Sequence, residues 1–193
     1  MLKKYSFFDG GTIGFDDSRS VRELLECAFD EFGYYEPFGM ETVTLFQSLH
    51  SSGSTGWFTT DPEKSCAEEI ENGDDLYFAY HKPGVFYYAE GGWGHHMQAL
   101  GNHPELEEPV ALRLQFDDFK NTVVFSGKLT LRKIIEMFRE ADYISADADK
   151  VTVRAINPYQ EPYEIAFSDP RLDLDLVSFE KTLPDAVTTL EIE

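Results

Sequence analysis

Apolar residues recur with the period of an α-helix in two stretches of the chain. In SVRELLECAFDEF (20–32), Leu24, Leu25, Ala28, Phe29 and Phe32 fall on one stripe, the pattern of a helix with one buried face. Ser20 and Glu23 stand at capping-box spacing, and Gly33 is the residue type that ends a helix in the left-handed conformation. LTLRKIIEMFREA (129–141) shows the same period through Leu131, Ile134, Ile135 and Phe138. A shorter helix is predicted over DPEKSCAEEIENG (61–73), with Asp61 as its cap, Pro62 in the first helical position and Gly73 as the stop.

Elsewhere the apolar runs are short and bounded by turn residues, as strands are. KKYSFFD (3–9) and TIGFD (12–16) read as a hairpin closed by a two-residue Gly10-Gly11 turn. ETVTLFQSL (41–49) is a strand followed by a Ser/Gly-rich loop, SSGSTG (51–56). Residues 76–81 and 85–90 form an antiparallel pair about Lys82-Pro83-Gly84, with Pro and Gly placed as a type II turn requires. VALRLQFDD (110–118), NTVVFSG (121–127), KVTVRAI (150–156), YEIAFS (163–168), LDLDLVSF (172–179) and AVTTLEIE (186–193) complete the strands. Strand and helix do not alternate strictly. The expectation is therefore an α+β fold, a largely antiparallel mixed sheet with about three helices. We read residues 1–193 as a single domain whose one candidate sub-boundary lies near 99–109. No internal repeat, low-complexity run or long linker is visible.

Length and composition agree with a folded domain: 193 residues, 42% hydrophobic and 15% aromatic, can bury a substantial core. The charge changes the picture. Thirty-six acids against sixteen bases leave a formal −20. Residues 1–97 hold 17 acids and 6 bases, and residues 98–193 hold 19 and 10, so the excess is no acidic tail. Such a surface repels nucleic acid and anionic membranes, both of which need a basic counterpart. A basic partner is the complementary expectation. Cys27 and Cys66 sit in predicted helices among apolar neighbours and read as two buried thiols rather than a disulfide. The chain shows no leader-like opening and no apolar run of spanning length, which points to the cytoplasm.

Three stretches carry candidate chemistry. FFDGGTI (7–13) lacks the GK pair of a phosphate-cradling loop. The DxDGT nucleophile of haloacid dehalogenase-type phosphatases needs carboxylates where this chain has Phe8 and Gly10, so the hairpin reading stands. EGGWGHHMQALGNHP (90–104) offers His95, His96 and His103, with Glu90 nearby, as zinc-type ligands. Adjacent residues on a regular element face different ways, and no HExxH or paired CxxC spacing is present. We therefore read it as a glycine-rich loop with Trp93 packed over the sheet. Its alternative is a small-ligand- or metal-binding enzyme centred on 90–103. No cofactor is implied.

The third stretch is the acids themselves. Asp61, Glu63, Glu68, Glu69, Glu71, Asp74 and Asp75 crowd fifteen residues that contain one lysine. In LDLDL (172–176), strand alternation would bury the leucines and present Asp173 and Asp175 outward, about 6.6–6.8 Å apart, a spacing comparable to that of successive phosphates. These nine acids are the candidate partner-binding residues, with Tyr34, Tyr35 and Phe38 as aromatic anchors. The function they imply is a non-enzymatic inhibitor of a basic nucleic-acid-handling protein, such as a nuclease, defence effector or toxin. It would act as a nucleic-acid mimic of anti-CRISPR, anti-restriction or immunity type. The loop reading makes a separate prediction: elemental analysis of the purified protein finds far less than one zinc per chain. Stoichiometric zinc that disappears in His95→Ala/His96→Ala would replace it with the metal-enzyme reading.

Overall fold

The clearest helix, α1 (Val21–Phe32), begins and ends where its sequence directs. Ser20 accepts from the Glu23 N–H, the Glu23 carboxylate reaches back to the Ser20 N–H, and Gly33 closes the helix at φ 69°. Val21, Leu24, Leu25, Ala28 and Phe29 are its buried face. In the computed structural model the described residues are 1–7, 11–34, 38–51, 54–71, 73, 76–88, 106–117, 119–184 and 188–193, with backbone alone for 48–51 and 54–58. They form an α+β fold with four α-helices and an antiparallel-rich sheet.

The chain divides into two units. The first, within Met1–His81, holds β1 (Leu2–Ser6), β2 (Thr12–Asp16), α1, β3 (Val43–Ser51), β4 (Ser54–Thr59), α2 (Cys66–Glu69) and β5 (from Leu76, its last residue being Lys82). Here β1 pairs with β2, β3 lies between β4 and β5, all antiparallel, and Phe7 bridges Leu76 in parallel. The second unit comprises Lys82–Tyr88 and the described residues from Leu106 to Glu193. It holds β6 (Phe86–Tyr88), β7 (Val110–Phe116), β8 (Phe119–Phe125), α3 (Leu131–Glu140), β9 (Lys150–Arg154), β10 (Tyr163–Ala166), α4 (Leu176–Glu180) and β11 (Thr189–Ile192). Its strands run β10-β9-β11-β7-β8-β6, with β11 and β7 parallel and every other neighbour antiparallel.

Set side by side, the two units contain one ββαββαβ module twice. Adding 110 to the residue numbers carries Ser20, Val21, Arg22, Leu24 and Leu25 onto Thr130, Leu131, Arg132, Ile134 and Ile135. The same shift carries Glu63 and Ser65 onto Asp173 and Asp175. The matches extend to backbone bonds. Cys66 and Ala67 donate to the carbonyls of Arg19 and Asp17, and Leu176 and Val177 donate to those of Leu129 and Gly127. Ser20 bridges Ser65 in one module, and Thr130 bridges Asp175 in the other. The sequence hides this repeat because equivalent positions preserve size and polarity rather than identity.

The module also explains where the predicted elements differ. The helix expected over 61–73 contracts to four residues capped by Ser65. The carbonyls of Pro62 and Lys64 accept from the first N–H groups of α1, and the Cys66 and Ala67 N–H groups donate outside their own helix, so residues 61–65 cannot close helical turns. LDLDLVSF is not a strand: a 3₁₀ turn (Pro170–Asp173) leads into α4. Leu172, Leu176 and Phe179 are buried at helical spacing, while Leu174 is 37% exposed. Within the Ser/Gly-rich stretch expected as a loop, residue 51 and residues 54–56 instead continue the β3–β4 ladder to a Ser51–Ser54 pair. The β1–β2 hairpin is present, but its register of Ser6 against Thr12 excludes a two-residue turn at Gly10-Gly11. The Lys82–Val85 turn is as expected, closed by the Val85 N–H on the Lys82 carbonyl, with Gly84 at φ 70°.

Aromatic rings fill both units. Phe29, Phe32, Tyr34 and Phe78 cluster in the first. In the second, Phe138 of α3 meets the rings of Phe86, Phe116, Phe119, Phe125 and Tyr143. Phe138 is fully buried, so Phe138→Ala removes a ring from the centre of that cluster and leaves a cavity. We expect it to cost about 3–5 kcal/mol in urea unfolding; a loss under about 1 kcal/mol would show that the cluster collapses around the gap.

Candidate functional site

The acids expected to face a partner are largely engaged in holding the modules together. Glu63 accepts from Arg22 Nη2 at 2.6 Å and Nε at 2.9 Å, joining the loop before α2 to the first turn of α1. Its counterpart Asp173 accepts from Arg132 Nε at 2.5 Å and Nη2 at 3.0 Å, and Arg132 also donates to the Phe167 carbonyl. Asp175 caps α4, taking the Ser178 N–H at 2.8 Å and its hydroxyl at 3.1 Å. Glu68 accepts from the Ser65 hydroxyl and N–H. Glu69 accepts from the Asp61 N–H and pairs with Lys64, and Asp61 accepts from the Glu63 N–H.

These contacts set the carboxylate chemistry. The Ser65 bonds hold the Glu68 carboxyl below its ordinary range. The Asp61 N–H, then Lys64, do the same for Glu69. Arg132 lowers Asp173, and the Ser178 N–H lowers Asp175. Each keeps its charge to lower pH because the fold donates to it. Glu71 is exposed, while Asp74 and Asp75 lie outside the described residues. The projected row of Asp173 and Asp175 on a strand does not exist, since both precede or cap a helix.

What remains is a surface that the residue count did not single out. On α1, Glu26, Asp30 and Glu31 are exposed, and no ion pair engages them among the described residues. Two of them stand in the last turn, where no base is present. The helix dipole disfavours each acid there by about 0.3–1 kcal/mol, and the Glu26/Asp30 pair at i,i+4 adds about 0.2–0.5 kcal/mol. The equivalent helix α3 ends with Arg139 in its last turn. The signal was legible in the helical period: after Arg22, every charged residue of α1 is an acid.

Other candidates fall away or lie elsewhere. Glu90, Trp93, His95, His96 and His103 are outside the described residues, as is Tyr35. Tyr34 is not a free anchor, because its ring packs on Phe29, Phe32 and Phe78; Phe38 is half-buried. Both cysteines are free, with Cys66 buried and Cys27 only half-buried. Burial pushes the Cys66 thiol up to about 11, which keeps it protonated and unreactive at neutral pH. Among the described residues no group of three or more His, Cys, Asp or Glu is placed to hold a metal ion. A recess of about 210 Å³ is lined in part by Arg22, Glu41, Thr60 and His81, and one of about 240 Å³ by Asp117, Ser145 and Asp147. Both are smaller than the roughly 300–1,000 Å³ usual for small-molecule sites. Among the described residues no helix is long and apolar enough to cross a membrane.

No family model matches the chain, and no curated protein matches it in sequence.

The capping role of Asp175 generates a test. Asp175→Ala should lower stability by about 1 kcal/mol, and Asp175→Asn by much less, because asparagine caps nearly as well. The Asp175 carboxyl is held below its unfolded value, so its contribution is present above that value, near 3.9, and lost as pH falls through the folded one. Urea titrations at pH 7 and pH 3 check both points. Equal loss in the Asn and Ala variants at pH 7 would mean that the cap does not operate.

Proposed function

We propose that this protein is a non-enzymatic inhibitor that occupies the basic nucleic-acid groove of a nuclease, defence effector or toxin. It acts as a nucleic-acid mimic in the cytoplasm. The observation that carries this reading is the outer face of α1, where Asp30 and Glu31 oppose the helix dipole and Glu26 and Asp30 repel one another. Folding gains nothing from acids in those positions, whereas a basic groove would. A net −20 raises the encounter rate with such a groove, and salt screens that attraction over roughly 8 Å at physiological strength. Glu63, Glu68, Glu69, Asp173 and Asp175 add to the long-range field while serving the fold.

The experiment begins with a photo-cross-linking residue at position 30 in the full chain, used to capture and identify the partner. Association with the purified partner is then followed by stopped-flow fluorescence across a salt series. Displacement of a labelled DNA duplex from the partner is measured by anisotropy. Glu26→Gln/Asp30→Asn/Glu31→Gln should slow association about threefold to tenfold at low salt and change dissociation little, since charges at the edge of an interface act mainly on the on-rate. The duplex should be released as the protein is added. A partner whose binding is indifferent to salt and to the triple variant, or which keeps its duplex, overturns the proposal.

A further inference from the structure

The two modules give each other an internal control, and they differ at the end of one hairpin. In the first, β3 and β4 remain paired down to Ser51 and Ser54. In the second, the β9–β10 ladder ends at the Val153–Tyr163 pair, and eight residues (155–162) separate the two strands. The reason is local: Pro158 and Pro162 cannot donate to a ladder. The loop is nonetheless built, because the Asn157 side chain accepts from the Tyr159 N–H at 3.1 Å and its carbonyl accepts from the Gln160 N–H at 3.1 Å. From this turn Ile156 and Tyr159 project outward, 63% and 93% exposed. The loop contains no base, and its one charged residue is Glu161.

We infer that the β9–β10 tip is an anchor that inserts Tyr159 and Ile156 into the cleft of the basic partner proposed above. The inference rests on that functional reading and deepens it. A single exposed apolar residue is ordinary. Two of them, beside a turn held by the Asn157 bonds, form the kind of exposed pair, with an aromatic ring at its tip, that can anchor an interface. Tyrosine suits the role because its ring buries area at little cost in rotamer freedom and its hydroxyl can still bond at the edge of a pocket. The net −20 of the chain, to which Glu161 of the loop adds, selects a basic protein as the occupant.

The test uses the full chain with a photo-cross-linking residue at 159 and, separately, at 30. We expect both positions to label the same basic protein. With that protein purified, Tyr159→Ala should weaken binding at least about thirtyfold and Ile156→Ala about fivefold, chiefly through faster dissociation, while Tyr159→Phe stays within about threefold. Melting temperatures of all three variants should equal that of the parent, as expected for side chains outside the core. If position 30 labels a basic partner but position 159 labels nothing, or Tyr159→Ala changes the affinity less than threefold, the anchor is refuted and the acidic-inhibitor reading stands. If 159 labels only a second copy of this chain, or a protein without a basic cleft, the inferred occupant is wrong. Binding that depends on Tyr159 but ignores salt would refute the inhibitor reading itself.

Discussion

An α-helix starts with backbone N–H groups that its own carbonyls cannot satisfy, and both modules are organised around meeting that need. The loop before the second helix supplies the missing acceptors: the carbonyls of Lys64 and Pro62 take the Val21 and Arg22 N–H groups. The second helix is served in return by the carbonyls of Arg19 and Asp17. Two cap residues, Ser20 and Ser65, meet in the middle of this exchange as an antiparallel bridge. Each such bond is worth only about 0.5–1.5 kcal/mol net, but leaving its groups buried and unpaired would cost more. The second module repeats the central bridge with Thr130 and Asp175 and fastens it with Arg132 and Asp173 as the first does with Arg22 and Glu63.

That exchange sorts the acids into two kinds. For some, such as Asp175, Glu68 and Asp173, a cap or an arginine makes the charge locally favourable. Others, on the outer face of α1, are charged without local return. Surface pairs contribute little, about 0–1 kcal/mol each, so the first kind positions segments more than it stabilises the whole. The second kind leaves a field that folding does not need. A protein carrying −20 pays for it in self-repulsion.

Duplication permits the two copies to diverge. One keeps its hairpin paired to Ser51 and Ser54, and the other opens the corresponding hairpin into a proline-containing tip that carries Ile156 and Tyr159. The helices diverge too: α1 has acids and no base in its last turn, while α3 carries Arg139 there. The acidic helix thus belongs to one copy and the apolar tip to the other. Under the proposed function the first would steer the encounter and the second would hold the complex.

The sequence by itself determined the long helices, because Leu24, Leu25, Ala28 and Phe29, like Ile134, Ile135 and Phe138, mark a buried face by period alone, and Ser20 and Gly33 mark the ends. It determined the α+β class, the Lys82–Val85 turn and the net charge for the same reason: each is a property of neighbours along the chain. Only the tertiary structure decided that Asp61 does not start a helix, because the N–H donors of the first turn of α1, which donate to the Pro62 and Lys64 carbonyls, lie some forty residues away in sequence. It alone decided between period two and period four in LDLDL, where Leu172 and Leu176 fit both patterns until Leu174 is seen to face solvent. It alone showed which acids are tied and which are free, since Glu63 and Asp173 each meet an arginine 41 residues distant. The repeat was hidden for a related reason: what it preserves is a set of backbone bonds and buried volumes, and many different residues supply those equally well.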